Sequence, residues 1–254
     1  MIDLRCGDCL EVMKDIPDGS IDLTITSPPY DDLRNYNSKI DFKKIAEQLY
    51  RITKQGGVVV WNVNDKIKNG TKTLTSFKQA ILFNEIGFNL NDVMIWKKTN
   101  PMPQVKQPRY NQVFEYMFIF SKGKPKTFNP IMIDCKSYGK EYKSTCKKIT
   151  KGMEREYKEF YINRQKIDNN IWEFAVSQNK TKHPAVFPLE LPLRHIKSWS
   201  NENDIVLDPF MGSGTTGVAC KELNRNFIGI ELDDKYFEIA KNRIDEANRS
   251  EKIC

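Results

Sequence analysis

The chain has 254 residues, 39% of them hydrophobic and 29% charged, with a formal charge of +7. That length suits one large α/β domain, or one domain carrying a sizeable insert, and the composition is that of a globular rather than a disordered chain. The longest apolar runs, such as Val113 to Phe120, are broken by Glu115, so no segment reads as a membrane span. The opening Met1-Ile2-Asp3-Leu4-Arg5 has no secretory pattern, and the expected location is the cytoplasm.

In chain order, Ile2 to Gly7 reads as a strand. Asp8 follows at its end, and Cys9 to Ile16 forms an amphipathic helix closed by Pro17-Asp18-Gly19. Ile21 to Ile25 is the next strand and delivers Thr26-Ser27-Pro28-Pro29-Tyr30 at its carboxyl end. Two consecutive prolines fix φ and remove two donors, so this is a stiff loop whose carbonyls are free to accept. A helix over 41–51, a buried strand over 56–62 and a helix over 73–86 come next. Strands over 92–97 and 113–121 follow with only Pro-rich loop sequence between them, which predicts an antiparallel final pair.

Residues 122–182 then hold fifteen Lys plus Arg against seven Asp plus Glu, so the net charge of the whole chain resides in this block. Phe128, Tyr138, Tyr142, Tyr157, Phe160, Tyr161, Trp172 and Phe174 are interleaved with it, a mixture suited to neutralising phosphates and stacking on bases. After it come His183-Pro184-Ala185-Val186-Phe187-Pro188, a helix over 189–199, and the apolar strand Ile205-Val206-Leu207. That strand runs into Asp208-Pro209-Phe210-Met211-Gly212-Ser213-Gly214-Thr215, a glycine turn that opens a helix. Phe227 to Glu231 is a further buried strand ending in a carboxylate, and a helix over 236–248 closes the pattern.

The turn from Gly212 to Thr215 reads as a cofactor cradle: backbone amides and a helix N-terminus converge there. Gly212-x-Gly214-x-x-Gly217 fits a dinucleotide fingerprint, but Asp208 stands where a pyrophosphate would pass, and Val218-Ala219 fails the Walker pattern. An acid suits a cofactor that carries an ammonium and a sulfonium, which points to S-adenosylmethionine. Glu231, at a strand end, can accept both ribose hydroxyls. Of the six cysteines only Cys6-x-x-Cys9 has ligand spacing, with no second pair, and His183 and His195 are separated by eleven residues. Reduced structural thiols are expected rather than a metal site.

Thr26-Ser27-Pro28-Pro29-Tyr30 taken with Asp208 to Thr215 resembles the exocyclic-amino DNA methyltransferases, in the permuted (beta-class) order where the catalytic motif precedes the cofactor motif. Gly7-Asp8-Cys9-Leu10, Gly56-Gly57, Asn111-x-x-Phe114-Glu115 and His183 to Pro188 fall where that family places its lesser motifs. The resemblance implies a doubly wound, mostly parallel, seven-stranded Rossmann-like sheet with an antiparallel last strand. Residues 1–121 would be the catalytic half, 122–182 a target-recognition insert and 183–254 the cofactor half. It also implies roles. Asp8 would lie at the adenine of S-adenosylmethionine, Glu231 at its ribose, and Asp208, Gly212, Ser213, Gly214 and Thr215 at its methionine part, with Pro184 and Phe187 lining the pocket and Cys9, Thr26, Pro209 and Phe210 also in the cofactor site. Ser27, Pro28, Pro29 and Tyr30 would be catalytic, on a base flipped out of double-stranded DNA.

The chemistry follows from the residues. An exocyclic amine is a poor nucleophile because its lone pair is delocalised into the ring. Acceptors on its N–H groups, here the Ser27 hydroxyl and the Pro28 carbonyl, free that pair, while Tyr30 stacks on the base. No metal or covalent nucleophile is required, and no Pro-Cys dipeptide of the C5 type occurs. Serine at 27 and the His-Pro-Ala-x-Phe-Pro form resemble the cytosine-N4 members, whereas adenine-N6 members mostly carry aspartate there. A regulator that binds without turnover, or a methyltransferase acting on RNA or protein, is the alternative of another class. A restriction endonuclease is an expected companion, and monomer and homodimer stay equally open.

Overall fold

The computed structural model describes residues 1–29, 40–101, 108–139, 141–145, 157–176 and 187–247, with the backbone alone for 141–145 and 157–161. Two compact units are present, 1–129 with 170–254, and 130–169. The first holds one eight-stranded sheet. Its strands are β1 (Ile2–Cys6), β2 (Ile21–Thr26), β3 (Thr53–Val63), β6 (Asn89–Lys98), β7 (Phe114–Ser121), β12 (Ile171–Phe174), β13 (Ile205–Asp208) and β14 (Asn226–Glu231). Their order across the sheet is β1-β14-β13-β2-β3-β7-β6-β12. A small hairpin, β4 (Ile67–Lys68) with β5 (Thr71–Lys72), follows β3. The helices of this unit are α1 (Cys9–Met13), α2 (Phe42–Ile52), α3 (Thr75–Ile86), α4 (Glu190–Trp199), α5 (Thr215–Glu222) and α6 (Asp234–Glu246).

All neighbours pair parallel except β7, which runs antiparallel to both β3 and β6. The expected antiparallel pair is therefore present, with β7 inserted beside β3. The expected count of seven strands is corrected to eight. Ile171–Phe174 pairs parallel with β6 at the sheet edge, and Trp172 and Phe174 bury their rings in the core. The basic residues around this short strand hide its period-2 alternation, which spans only four residues.

The strands alternate side chains between two helical layers. On β3, Val58 and Val60 face a cluster with Leu191 and Ile196 of α4, Ala219 and Cys220 of α5, and Ala240 and Ile244 of α6. Val59, Trp61 and Val63 face the opposite cluster with Met13 of α1, Ile45 and Leu49 of α2, and Phe83 of α3. Helices thus cover both faces, as a largely parallel sheet with long apolar strands requires. Among the described residues no helix is long and apolar enough to cross a membrane.

Among its described residues the second unit holds two antiparallel pairs, β8 (Met132–Asp134) with β11 (Gln165–Ile167) and β9 (Glu141–Thr145) with β10 (Tyr157–Tyr161). It is shorter than the basic block, because 122–129 and 170–176 belong to the first unit.

Candidate active site

In the sheet order β13 lies directly beside β2. From β2 the chain proceeds outward through α2 to β3, and from β13 it proceeds the other way through α5 to β14. Strands that depart in opposite directions leave a crevice outside their carboxyl ends, and this is where open α/β sheets place ligands. The two strands end at Thr26 and Asp208, and the side chains meet. The Thr26 hydroxyl donates to Asp208 Oδ1 at 2.7 Å, Thr216 to Oδ2 at 2.7 Å, and the Phe210 amide to Oδ1 at 3.1 Å. Asp208 is 1% exposed. Burial pushes its pKa up to about 6, against the pull of those three donors. It is thus an internal tie between two loops rather than an open carboxylate.

The loop after β13 is buried from Met211 to Thr215. Met211 N donates to the Ile230 carbonyl at 2.9 Å, and Gly212 N donates to Glu231 Oε2 at 2.9 Å. The other Glu231 oxygen accepts from the Asp233 amide at 3.0 Å. Glu231, 5% exposed at the end of β14, is thereby fixed against the glycine turn. Gly212 (φ 52) and Gly214 (φ 78) take the left-handed conformation that favours glycine. At Gly214 the close approach is to α6 and not to a ligand, since an added Cβ would lie 2.9 Å from that of Ala240. Pro209 is buried, and Phe210 packs against the cluster under α1 to α3.

Arg243, on α6, escaped the sequence reading. Its guanidinium donates to the Ser213 carbonyl and, at 2.8 Å, to the Ser213 hydroxyl, with a longer contact of 3.5 Å to Thr215 Oγ1. Burial lowers its pKa, and among the described residues no carboxylate pairs with it. The available signal was its place in the helical repeat: Ala240, Arg243 and Ile244 share the inward face.

Asp8 is exposed and caps α1, accepting from Leu10 N at 2.8 Å and Glu11 N at 3.4 Å. It lies near Glu231, because Cys6 pairs with Glu231 across β1 and β14 and Gly7 N donates to the Glu231 carbonyl at 2.9 Å. Cys9 packs against the core, and burial pushes its thiol up to about 12. Cys6 donates to Asp234 Oδ1 at 3.0 Å. Four free thiols, Cys6, Cys9, Cys135 and Cys220, are present among the described residues. The carboxyl edge of β1, β14 and β13 therefore carries Asp8, Glu231 and Asp208 with Asp233 and Asp234 beside them, an acidic rim.

Ser27, Pro28 and Pro29 follow β2 directly, with Pro28 buried and the other two half-buried. Tyr30 and Pro184 lie outside the described residues. Phe187 packs against the cluster under α4 to α6. Beside the Ser27 loop a buried polar row crosses the sheet. Asn62 Nδ2 donates to Glu115 Oε2 at 2.8 Å, and Lys98 Nζ donates to Glu115 Oε1 at 2.6 Å. Thr26 pairs with Trp61, so Asn62 comes level with Ser27. Asn62 is 1% exposed and its Oδ1 has no partner among the described residues. Its only sequence signal was one amide inside an apolar strand.

Comparison with known proteins gives a consistent result. The family model described as "DNA methylase", of the N6/N4 group, matches residues 21–242. The orphan methyltransferase M.BamHII of Bacillus amyloliquefaciens is 47% identical over 243 residues, covering 91% of each chain. The type II methyltransferase M.HpaI of Haemophilus parainfluenzae is 32% identical over 95% of this chain and 74% of its own. Among solved structures, that of the M1.HpyAVI complex with SAM superposes with a TM-score of 0.65 at 32% identity, over 96% of this chain and 100% of the other. The cytosine-N4-specific PvuII DNA methyltransferase, at 21% identity and a TM-score of 0.72 over 98% and 92%, shares the fold. A family model that spans most of the chain, over a sheet whose switch point joins Thr26 to Asp208, assigns the protein: it belongs to the N6/N4 family of DNA methyltransferases.

Proposed function

We propose that the protein transfers a methyl group from S-adenosylmethionine to the exocyclic N4 of cytosine in double-stranded DNA, in a restriction-modification setting, with its catalytic motif preceding its cofactor motif. The observation that carries this reading is the bond between Thr26 and Asp208, which sets the Ser27-Pro28-Pro29 loop and the Gly212–Thr215 turn on either side of one crevice.

The residues fit the cofactor. Asp8, Glu231 and Asp208 stand in sequence along one acidic rim, and the glycine turn is held open by Glu231 below and Arg243 behind. Asp8 and Glu231 would hold the adenosine end, and the turn would hold the methionine end in the field of Asp208. When bound, S-adenosylmethionine supplies a methyl group on a sulfonium. The chain supplies position and acceptors. The Ser27 hydroxyl and Pro28 carbonyl would accept hydrogen bonds from the amine N–H groups and so orient the nitrogen lone pair toward the transferable methyl, and the proton that the methylated nitrogen sheds would pass to solvent. Asn62, fixed by Glu115 and Lys98, backs this loop with a carbonyl oxygen free to accept.

Serine at 27 favours cytosine over adenine through the resemblance described above. Sequencing that reads modified bases, applied to DNA from cells expressing the protein, tests the whole reading. N4-methylcytosine in one sequence context is expected. N6-methyladenine would move the target to adenine, and unmodified DNA would overturn methyl transfer.

A further inference from the structure

Beyond the crevice, on the same carboxyl edge of the sheet, lies a second concavity that no role of the active site uses. It has a volume of about 420 Å³ and sits where β3 ends and β7 begins, enclosed by the β4-β5 hairpin. Lys66, Lys72 and Arg109 line it together with Tyr110, Gln112 and a single acid, Asp65. That acid is committed elsewhere: its Oδ1 accepts from the amide and hydroxyl of Ser76, at 2.9 and 3.0 Å, at the start of α3. Lys72 donates to Gln112 at 2.5 Å and Arg109 to the Gly70 carbonyl at 2.7 Å. Neither partner is charged. The Arg109 Nε is buried and has no acceptor among the described residues. All three cations are half-buried, so solvent screens them less than it would on an open face. Tyr110, in contrast, is 99% exposed, a large aromatic surface held in water at the rim.

We infer that this concavity is a second DNA contact, in which Lys66, Lys72 and Arg109 take a backbone phosphate and Tyr110 stacks on a neighbouring unpaired or distorted base. The chemistry suits that ligand: excess half-buried positive charge without carboxylate partners attracts a phosphodiester, and an exposed ring beside it supplies a stacking platform. Its position suits it as well. The rim over β1, β14 and β13 is acidic and would repel a phosphate, whereas the rim beyond β3 is basic. A strand whose target base enters the crevice at β2 would leave across β3, one strand spacing of about 5 Å away. The site thus lies in the sheet unit itself, on residues outside the basic block 122–182. The inference rests on the DNA-directed reading above.

The test uses the full chain, with Lys66→Gln and Tyr110→Ala made singly. Among the described residues no side-chain hydrogen bond or ion pair of Lys66 is present, Gln keeps most of its half-buried stem, and Tyr110 is 99% exposed, so neither change opens a cavity. Fluorescence anisotropy over a salt series, with a labelled random-sequence duplex and the same sequence as a single strand, reads phosphate contact and stacking separately. Lys66→Gln is expected to lower the log–log salt slope for duplex by about 0.9. Tyr110→Ala is expected to weaken single-strand binding about tenfold with little change in slope. S-adenosylmethionine affinity by calorimetry should match the wild type for both. Wild-type slope and affinity in both variants, in a protein that still methylates DNA, would overturn the second contact while leaving the proposed function intact. A wild-type protein that binds cofactor but neither binds nor methylates DNA would remove both.

Discussion

Thr26 and Asp208, 182 residues apart in the chain, are joined by a buried 2.7 Å hydrogen bond at the carboxyl ends of adjacent parallel strands. This one bond couples the loop that would hold the target amine to the loop that would hold the cofactor. With Thr216 and the Phe210 amide it supplies the hydrogen-bond donors of a carboxylate that is buried. Thr26→Val removes one donor and is nearly isosteric. It should cost roughly 1–3 kcal/mol of stability in urea unfolding, the range for leaving a buried acceptor short of a partner.

Asp208 also predicts a pH dependence. Its folded pKa, pushed up to about 6 by burial, stands above the ordinary 3.8, so the folded chain holds this proton more tightly than the unfolded one. Its contribution to stability is complete below about pH 3.8, declines as pH rises through about 6, and is level above that. Asp208→Asn removes the titration, and the threonine hydroxyls can turn to accept from the new amide. The wild-type minus variant stability should therefore fall between about pH 4 and pH 6 and then stay flat. Cofactor affinity of the wild type should move the opposite way and rise as the carboxylate ionises, which calorimetry across the same range checks.

Ser27→Ala should lower the single-turnover methylation rate about ten- to a thousandfold while cofactor and DNA affinities stay close to wild type. An acceptor that strengthens as the amine pyramidalises acts on the transition state and appears in rate rather than in binding. Rapid-quench measurements with labelled cofactor decide this. A wild-type rate would remove Ser27 from the mechanism and with it the argument for cytosine.

Arg243→Gln should weaken S-adenosylmethionine binding about tenfold or more without altering the DNA salt slope, because it releases Ser213 and Thr215 from α6 and lets the glycine turn relax. Arg243→Lys, which keeps the charge and one donor, should recover part of the affinity. Equal loss in both variants would mean that charge and reach are irrelevant there.

Gly217→Ala offers a test of packing. In an exposed helix this change would stabilise by about 1 kcal/mol. Here an added Cβ would stand 2.4 Å from Ile244 Cδ1 and 2.7 Å from Phe227 Cε1, so a net loss of about 1–3 kcal/mol is expected instead. Ile244→Val, which deletes the nearer atom, should restore part of that loss in the double variant, as chemical denaturation would show.

The sequence by itself determined the elements and the kind of chemistry. Strand runs such as Val58 to Val63, the paired prolines at 28 and 29, and the glycine turn from 212 to 214 are local signals: burial, fixed φ and left-handed φ are written in residue type and spacing. The antiparallel pair of β6 and β7 was legible for the same reason, since the sequence between them carries prolines and no helical period. What only the tertiary structure decided were the relations between distant segments. That β12 joins the edge of the sheet depends on a pairing with β6 more than seventy residues earlier, and four residues carry too short a pattern to announce it. That Asp208 is enclosed by Thr26 and Thr216, that Gly214 and Gly217 make room for α6, and that Arg243 grips the turn at Ser213 are consequences of which faces meet when two helical layers close on the sheet. Residue type reports what a side chain can do, but only packing determines which donor reaches which acceptor.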